Sequence, residues 1–111
     1  MESTRQQKIS RLIQKDLGII FQQESRNLFD GALITVTKVQ VSKDLAIAKV
    51  YLSLFITTDK QALLDKIRRH GREIRHHLVQ LVHQQLRVMP ELHFFLDDSL
   101  DYIENIDQLL K

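Results

Sequence analysis

Residues 67–77, Ile67-Arg-Arg-His-Gly-Arg-Glu-Ile-Arg-His-His77, decide how this chain is read. On their N-terminal side Leu63, Leu64 and Ile67 recur at helical spacing, and on their C-terminal side Ile74, Leu78, Leu81, Val82 and Leu86 resume that spacing. Between them stands Gly71, a poor helix former, so the segment reads as two helices joined at a bend rather than one long helix. Thr58, with Gln61 three residues later, is positioned to cap the first of the two.

Working outward, the residues before this pair read as a hairpin. "LITVTKVQV" is rich in Val, Ile and Thr, and "AIAKVYLSLF" alternates Ala46, Ala48, Val50, Leu52 and Leu54 with Lys49, Tyr51 and Ser53. The turn "SKDL" joins them, which predicts an antiparallel hairpin. In the first of these strands Ile34 and Val36 fall out of phase with Val39 and Val41, the mark of a bulge or of burial on both faces. Upstream, Ser3 and Thr4 each precede a Gln by three residues, and Ile9, Leu12, Ile13, Leu17, Ile20 and Phe21 predict a helix over about residues 4–24, closed by an Asp30-Gly31 turn. Downstream, Pro90 blocks further helix, "ELHFFLDD" reads as a third strand with Leu92, Phe94 and Leu96 on one side, and Asp98 can cap a last helix carrying Tyr102, Ile103, Ile106, Leu109 and Leu110. The order implies an α+β fold: one three-stranded sheet with helices on one face, in a single domain spanning residues 1–111.

Charge is distributed more tellingly than the net value of +2 suggests. From Lys66 to Arg87 there are six Lys or Arg, four of the five His and one acid, Glu73; from Glu91 onward there are six acids against Lys111 alone. A wheel at about 100° per residue sets Leu64, Ile67, Ile74, Leu78, Leu81 and Val82 on one arc, with Arg68, Arg69, Arg72, Arg75, His76 and His83 beside them. A solvated helix face would normally mix signs, whereas like charges three or four apart repel. Arg72 and Arg75 would moreover fall in the first turn of a helix beginning near Gly71, where the macrodipole disfavours cations. A polyanion relieves both penalties, since backbone N–H groups and guanidinium forks both suit phosphate. Gly71 by itself can be a helix terminator or a close packing contact; joined to the arginines it reads as a bend that lets a nucleic-acid backbone approach.

Other functions find little support. With no cysteine, disulfides, thiolate metal sites and cysteine nucleophiles are excluded, and the composition fits a reducing compartment. "MESTRQQKIS" lacks the apolar core of a signal peptide, and no run approaches a membrane span, so a cytoplasmic protein is expected. His70, Glu73 and His77 have the spacing of a two-histidine, one-carboxylate metal set on a continuous helix, but the bend displaces His70, and exposed histidines able to pair with phosphate are the favoured reading. No P-loop, GxGxxG or Ser-His-Asp order is present, so no catalytic residues and no cofactor are expected.

Three sets of residues, "VTKVQVSKDLAIAKVYLS", "HGREIRHHLVQLVHQQLR" and "VMPELHFFLDDS", closely resemble ribosome-binding factor A, a family of bacterial assembly factors of the small ribosomal subunit. The resemblance covers nearly the whole chain. It implies a type II KH-like domain (αββααβ) with a C-terminal helix, in which the helix-bend-helix replaces the usual GxxG loop. The family's bend reads Ala-x-Gly; here Arg69 holds the alanine position and adds a cation. The resemblance further implies a monomeric, non-enzymatic factor that binds 16S rRNA in free 30S subunits and assists late maturation, including processing of the precursor 5′ end, often in adaptation to cold. It places RNA contacts at Gly71, Arg72 and Arg75, with Arg68, Arg69 and His76 beside them, and more weakly at Lys38 and Lys49 on the strands and Arg5, Lys8 and Arg11 on the first helix. A charged tail seen in many relatives is not expected to act here, the sequence stopping at Lys111. Single-stranded or irregular RNA is the expected target, with base stacking secondary to phosphate contact given an aromatic content of 6%. The competing expectation is a protein-interaction module docking through the acidic C-terminal helix and the open sheet face.

Overall fold

The computed structural model describes residues 3–55 and 57–97. Helix α1 runs over Thr4–Leu28, strands β1 and β2 over Leu33–Val41 and Ile47–Phe55, helices α2 and α3 over Lys60–Arg69 and Gly71–Val82, and strand β3 over Glu91–Leu96. The sheet order is β1-β2-β3, with β1 antiparallel and β3 parallel to β2. This is the αββααβ arrangement of a type II KH-like domain. The helix expected from Asp98 onward lies outside the described residues.

Of the two possible caps on α1, Ser3 is used: its hydroxyl accepts from Gln6 N–H at 3.1 Å while Gln6 Oε1 accepts from Ser3 N–H at 2.7 Å. Gln6 has a further task, because its Nε2 donates to the carbonyl of Val41 at 2.9 Å and so fixes the start of α1 to the end of β1. The helix continues four residues beyond the predicted end, because the chain leaves it only at Phe29 and Gly31, whose N–H groups both donate to Ser25 O at 3.0 Å. The turn follows through Asp30 and Gly31, both at positive φ (53° and 79°), where glycine carries no steric penalty.

The expected irregularity in β1 is a bulge. Val36 pairs with Leu52 and Lys38 with Tyr51, leaving Thr37 as the extra residue. A bulge strands ladder carbonyls, and Gln14 on α1 answers them, its Nε2 lying 3.1 Å from Val36 O and 3.4 Å from Thr37 O. One buried row consequently faces the helices on both sides of the bulge: Ile34, Val36, Val39 and Val41 from β1, Ala48, Val50, Leu52 and Leu54 from β2, and Phe94 from β3. Against it pack Ile13, Leu17, Ile20 and Phe21 of α1, Leu64 and Ile67 of α2, and Ile74, Leu78 and Val82 of α3.

Two local expectations need correction. The N-cap of α2 is Asp59, not Thr58: its carboxylate accepts from Ala62 N–H at 3.0 Å, a charge-assisted cap that starts the helix one residue later. Leu81 is 46% exposed although it sits near the buried arc of α3. The buried row follows the i, i+4 ridge Ile74, Leu78 and Val82 into α1, and Leu81 falls on its flank. Leu86 lies past the end of the helix and packs only partly against the core.

The β1–β2 turn is organised by Asp44, whose Oδ1 accepts from the Ser42 hydroxyl at 2.7 Å and from Ala46 N–H at 3.1 Å. The Ser42 hydrogen bond, and after it the Ala46 N–H, hold the Asp44 carboxyl below its ordinary pKa. A depressed acid stabilises the fold above its unfolded pKa, and that contribution disappears as pH falls through the folded value. Asp44→Ala should therefore lower the melting temperature at neutral pH, with the gap to the parent protein narrowing below about pH 4, near the ordinary carboxylate range. At the bulge, Gln14→Leu removes the side-chain hydrogen bonding to the Val36 and Thr37 carbonyls and should cost about 0.5–1.5 kcal/mol in urea unfolding.

Candidate nucleic-acid interface

The bend lies at His70, whose φ of −90° and ψ of 15° depart from both helices while its N–H still donates to Lys66 O and Ile67 O at 3.1 Å. It is held from below. Ile67 and Ile74, one on each side, are fully buried, and the His70 ring meets Phe29 edge-on with centroids 5.9 Å apart. Gly71, the first residue of α3, has no positive φ, and a Cβ placed on it would meet nothing within 4 Å. Neither backbone conformation nor packing inside the chain requires glycine there. What glycine preserves is open space on the outside of the bend.

The basic side chains around it divide into two groups. Arg68 donates from Nε and Nη2 to the carbonyl of Phe94 at 3.1 and 2.7 Å, gripping the outer edge of β3, and its Nη1 lies 4.0 Å from Asp65. Arg75 donates to Met89 O at 3.2 Å, just before β3. These are bonds to neutral carbonyls, which orient the guanidiniums without cancelling their charge. Arg69 and Arg72 are exposed and have no hydrogen-bond or ion-pair partner among the described residues. His76 is exposed on the next turn, 3.2 Å from Gln80 Nε2. Glu73, the lone acid of the stretch, is turned to His70 Nδ1 at 3.1 Å. A cleft of about 400 Å³, lined by Arg68, Gly71, Leu92, His93, Phe94 and Phe95, runs from the bend over the edge of β3.

The other sequence candidates are not brought to the bend. Lys38 and Lys49 stand on the sheet face opposite the helices, lining a groove with Lys43. Arg5 and Lys8 line a separate groove with Arg87 beside the β1–β2 turn, at the N-terminal end of α1, whereas the bend packs on Phe29 beyond its C-terminal end. Arg11 is exposed on α1 and lines neither groove. His70, Glu73 and His77 do not converge, since His77 Nε2 lies 3.8 Å from Glu24 of α1, and among the described residues no set of three metal-ligating side chains gathers. No helix of the described residues is long and apolar enough to cross a membrane.

A profile of the family Ribosome-binding factor A matches residues 5–110. The chain belongs to the ribosome-binding factor A family. A ribosome-binding factor A from Cytophaga hutchinsonii is 46% identical over 110 residues, covering 99% of this chain and 83% of that protein. One from Flavobacterium johnsoniae is 49% identical over 111 residues, covering 99% and 85%. Among solved structures, the crystal structure of ribosome-binding factor A from Thermus thermophilus superposes with a TM-score of 0.68 at 22% identity, covering 82% of this chain and 94% of that one. A homology model of the Thermus thermophilus factor, fitted into the cryo-EM map of a 30S–RbfA complex, gives 0.63 at 27% identity, covering 80% and 91%.

Within this family member the sequence pointed to the bend but missed two neighbours, Phe95 and His93, which line its cleft. Their signal was alternation: in β3 they occupy the phase opposite to the core residue Phe94, so an aromatic and a histidine were bound to face away from the helices. The open space at Gly71 gives a direct test. Gly71→Ala should fold at least as well as the parent, by up to about 1 kcal/mol on helix propensity, yet bind RNA or small subunits more weakly; equal binding would make the glycine incidental.

Proposed function

We propose that this ribosome-binding factor A acts in the cytoplasm as a monomer that binds 16S rRNA within free 30S subunits and assists their late maturation, including processing of the precursor 5′ end, without catalysing a reaction itself. The observation that carries the reading is the pair Arg69 and Arg72, exposed and unpaired among the described residues on either side of a glycine with nothing over it. Phosphate is the ligand that suits such a pair: it accepts bidentate hydrogen bonds from guanidinium and supplies the charge that their own chain withholds. Arg68 and Arg75, oriented by backbone carbonyls, flank the same surface. The family relationship and the fold shared with a factor fitted into a 30S complex support the same partner.

Sedimentation tests the reading. The protein should travel with free small subunits in preference to assembled ribosomes, and this association should weaken steeply with salt as condensed cations are released. The double variant Arg69→Gln, Arg72→Gln should keep its melting temperature, since neither side chain has a partner among the described residues, and should lower the salt slope on single-stranded RNA by about 1.4, at ~0.7 per lost phosphate contact. An unchanged slope would remove the bend from the interface.

A further inference from the structure

The sheet face opposite the helices carries an aromatic row that the phosphate-binding reading of the bend does not use. Tyr51 and Phe95 are cross-strand partners on β2 and β3, their rings 5.6 Å apart and inclined at 31°. Each has a cation on its outer side: Lys38 Nζ lies 6.0 Å from the Tyr51 centroid, and the guanidinium of Arg68 lies 6.0 Å from the Phe95 centroid. The four side chains form one line across the sheet, from β1 to the edge of β3, both rings being half-buried. At one end of the line, the cleft beside Gly71 is lined by both Arg68 and Phe95. At the other end, Lys38 joins Lys43 and Lys49 around a groove of about 620 Å³. Two described acids belong to this face: Glu91 stands at its margin with an oxygen 3.7 Å from His93 Nε2, and Asp97, just past β3, has Oδ2 2.6 Å from Thr37 Oγ1.

We propose that this face is a second RNA surface, on which an unpaired base of a single strand leaving the bend stacks against Tyr51 and Phe95 while Lys38, Lys43 and Lys49 hold the phosphates beyond it. The inference rests on the RNA-binding reading given above. The chemistry favours single-stranded RNA over an acidic protein segment, because adjacent flat rings flanked by cations match the alternation of base and phosphate along a strand. Phosphate alone would satisfy the lysines but leave the rings unused. An A-form duplex keeps its bases stacked inside and offers no free face to them.

The chain contains no Trp, so Phe95→Trp places a single tryptophan on this face as a reporter. The full chain is titrated with a uridine dodecamer and with a dodecamer of the same ribose-phosphate backbone whose central bases are removed. Base stacking predicts quenching of the tryptophan by the first RNA and not the second. It also predicts that Phe95→Leu and Tyr51→Leu weaken the uridine RNA by about 5- to 150-fold, the range for losing one base stack, with little effect on the abasic RNA or the salt slope. Retained far-UV circular dichroism checks that the leucine variants fold; should either unfold, the quenching contrast of the tryptophan variant decides. If both RNAs bind alike, quench alike and ignore the leucine substitutions while Arg69→Gln, Arg72→Gln still loses affinity, the face is not a base platform although the bend remains an RNA site. If neither RNA binds the parent chain, both readings fall.

Discussion

Two isoleucines, Ile67 and Ile74, sit on either side of the bend with no exposed surface, and the remaining features of the candidate interface depend on their anchorage. Burying each side chain contributes about 1.5–3 kcal/mol and pins one helix on each flank of His70 to the same core. The break in the helix thus becomes a fixed corner rather than a loose joint. The corner in turn decides where the arginines point. Arg68, one residue after Ile67, reaches the edge of β3, and Arg72, two before Ile74, is held away from every carboxylate among the described residues.

The edge of β3 shows how one side chain can protect a strand edge and keep its own charge. An exposed parallel edge strand offers free carbonyls that invite pairing with another chain. Arg68 occupies one of them, at Phe94, with two hydrogen bonds, and it does so while presenting its guanidinium to the Phe95 ring. The positive charge survives because a carbonyl accepts a proton's share without neutralising it. A lysine there could not bond through two nitrogens and stack at once. The same economy operates on the other side of the molecule, where Gln6 closes a capping box and ties α1 to β1, and Gln14 answers the carbonyls at the bulge.

The bulge links the two surfaces in a less obvious way. By adding Thr37, it lets Ile34, Val36, Val39 and Val41 all face the core, and it sets Lys38 opposite Tyr51. Thr37 Oγ1 lies 3.2 Å from Tyr51 O and 2.6 Å from Asp97 Oδ2, so the polar group at the irregularity is tied to β2 and to the end of β3. A regular β1 would have faced half of these valines and isoleucines outward.

Periodicity alone was enough for the elements. Apolar residues at helical spacing marked all three described helices, β-branched content marked β1 and alternation the other two strands, and the phase slip at residues 36–39 left a bulge or two-faced burial open, because each of these follows from local backbone geometry. Gly71 and the surrounding arginines likewise marked the bend. Cap choice and the fate of Leu81 were not legible, since Thr58 and Asp59 are both competent caps and the buried ridge of α3 depends on which neighbour it meets. Tertiary structure alone divided the basic residues, leaving Arg69 and Arg72 unpaired among the described residues, giving Arg68 and Arg75 carbonyl partners, and sending Lys38 and Lys49 to another face. It alone brought Tyr51 and Phe95 side by side, because parallel pairing of β2 with β3 joins residues 44 positions apart, and register between strands so distant is set by the packing of the whole sheet.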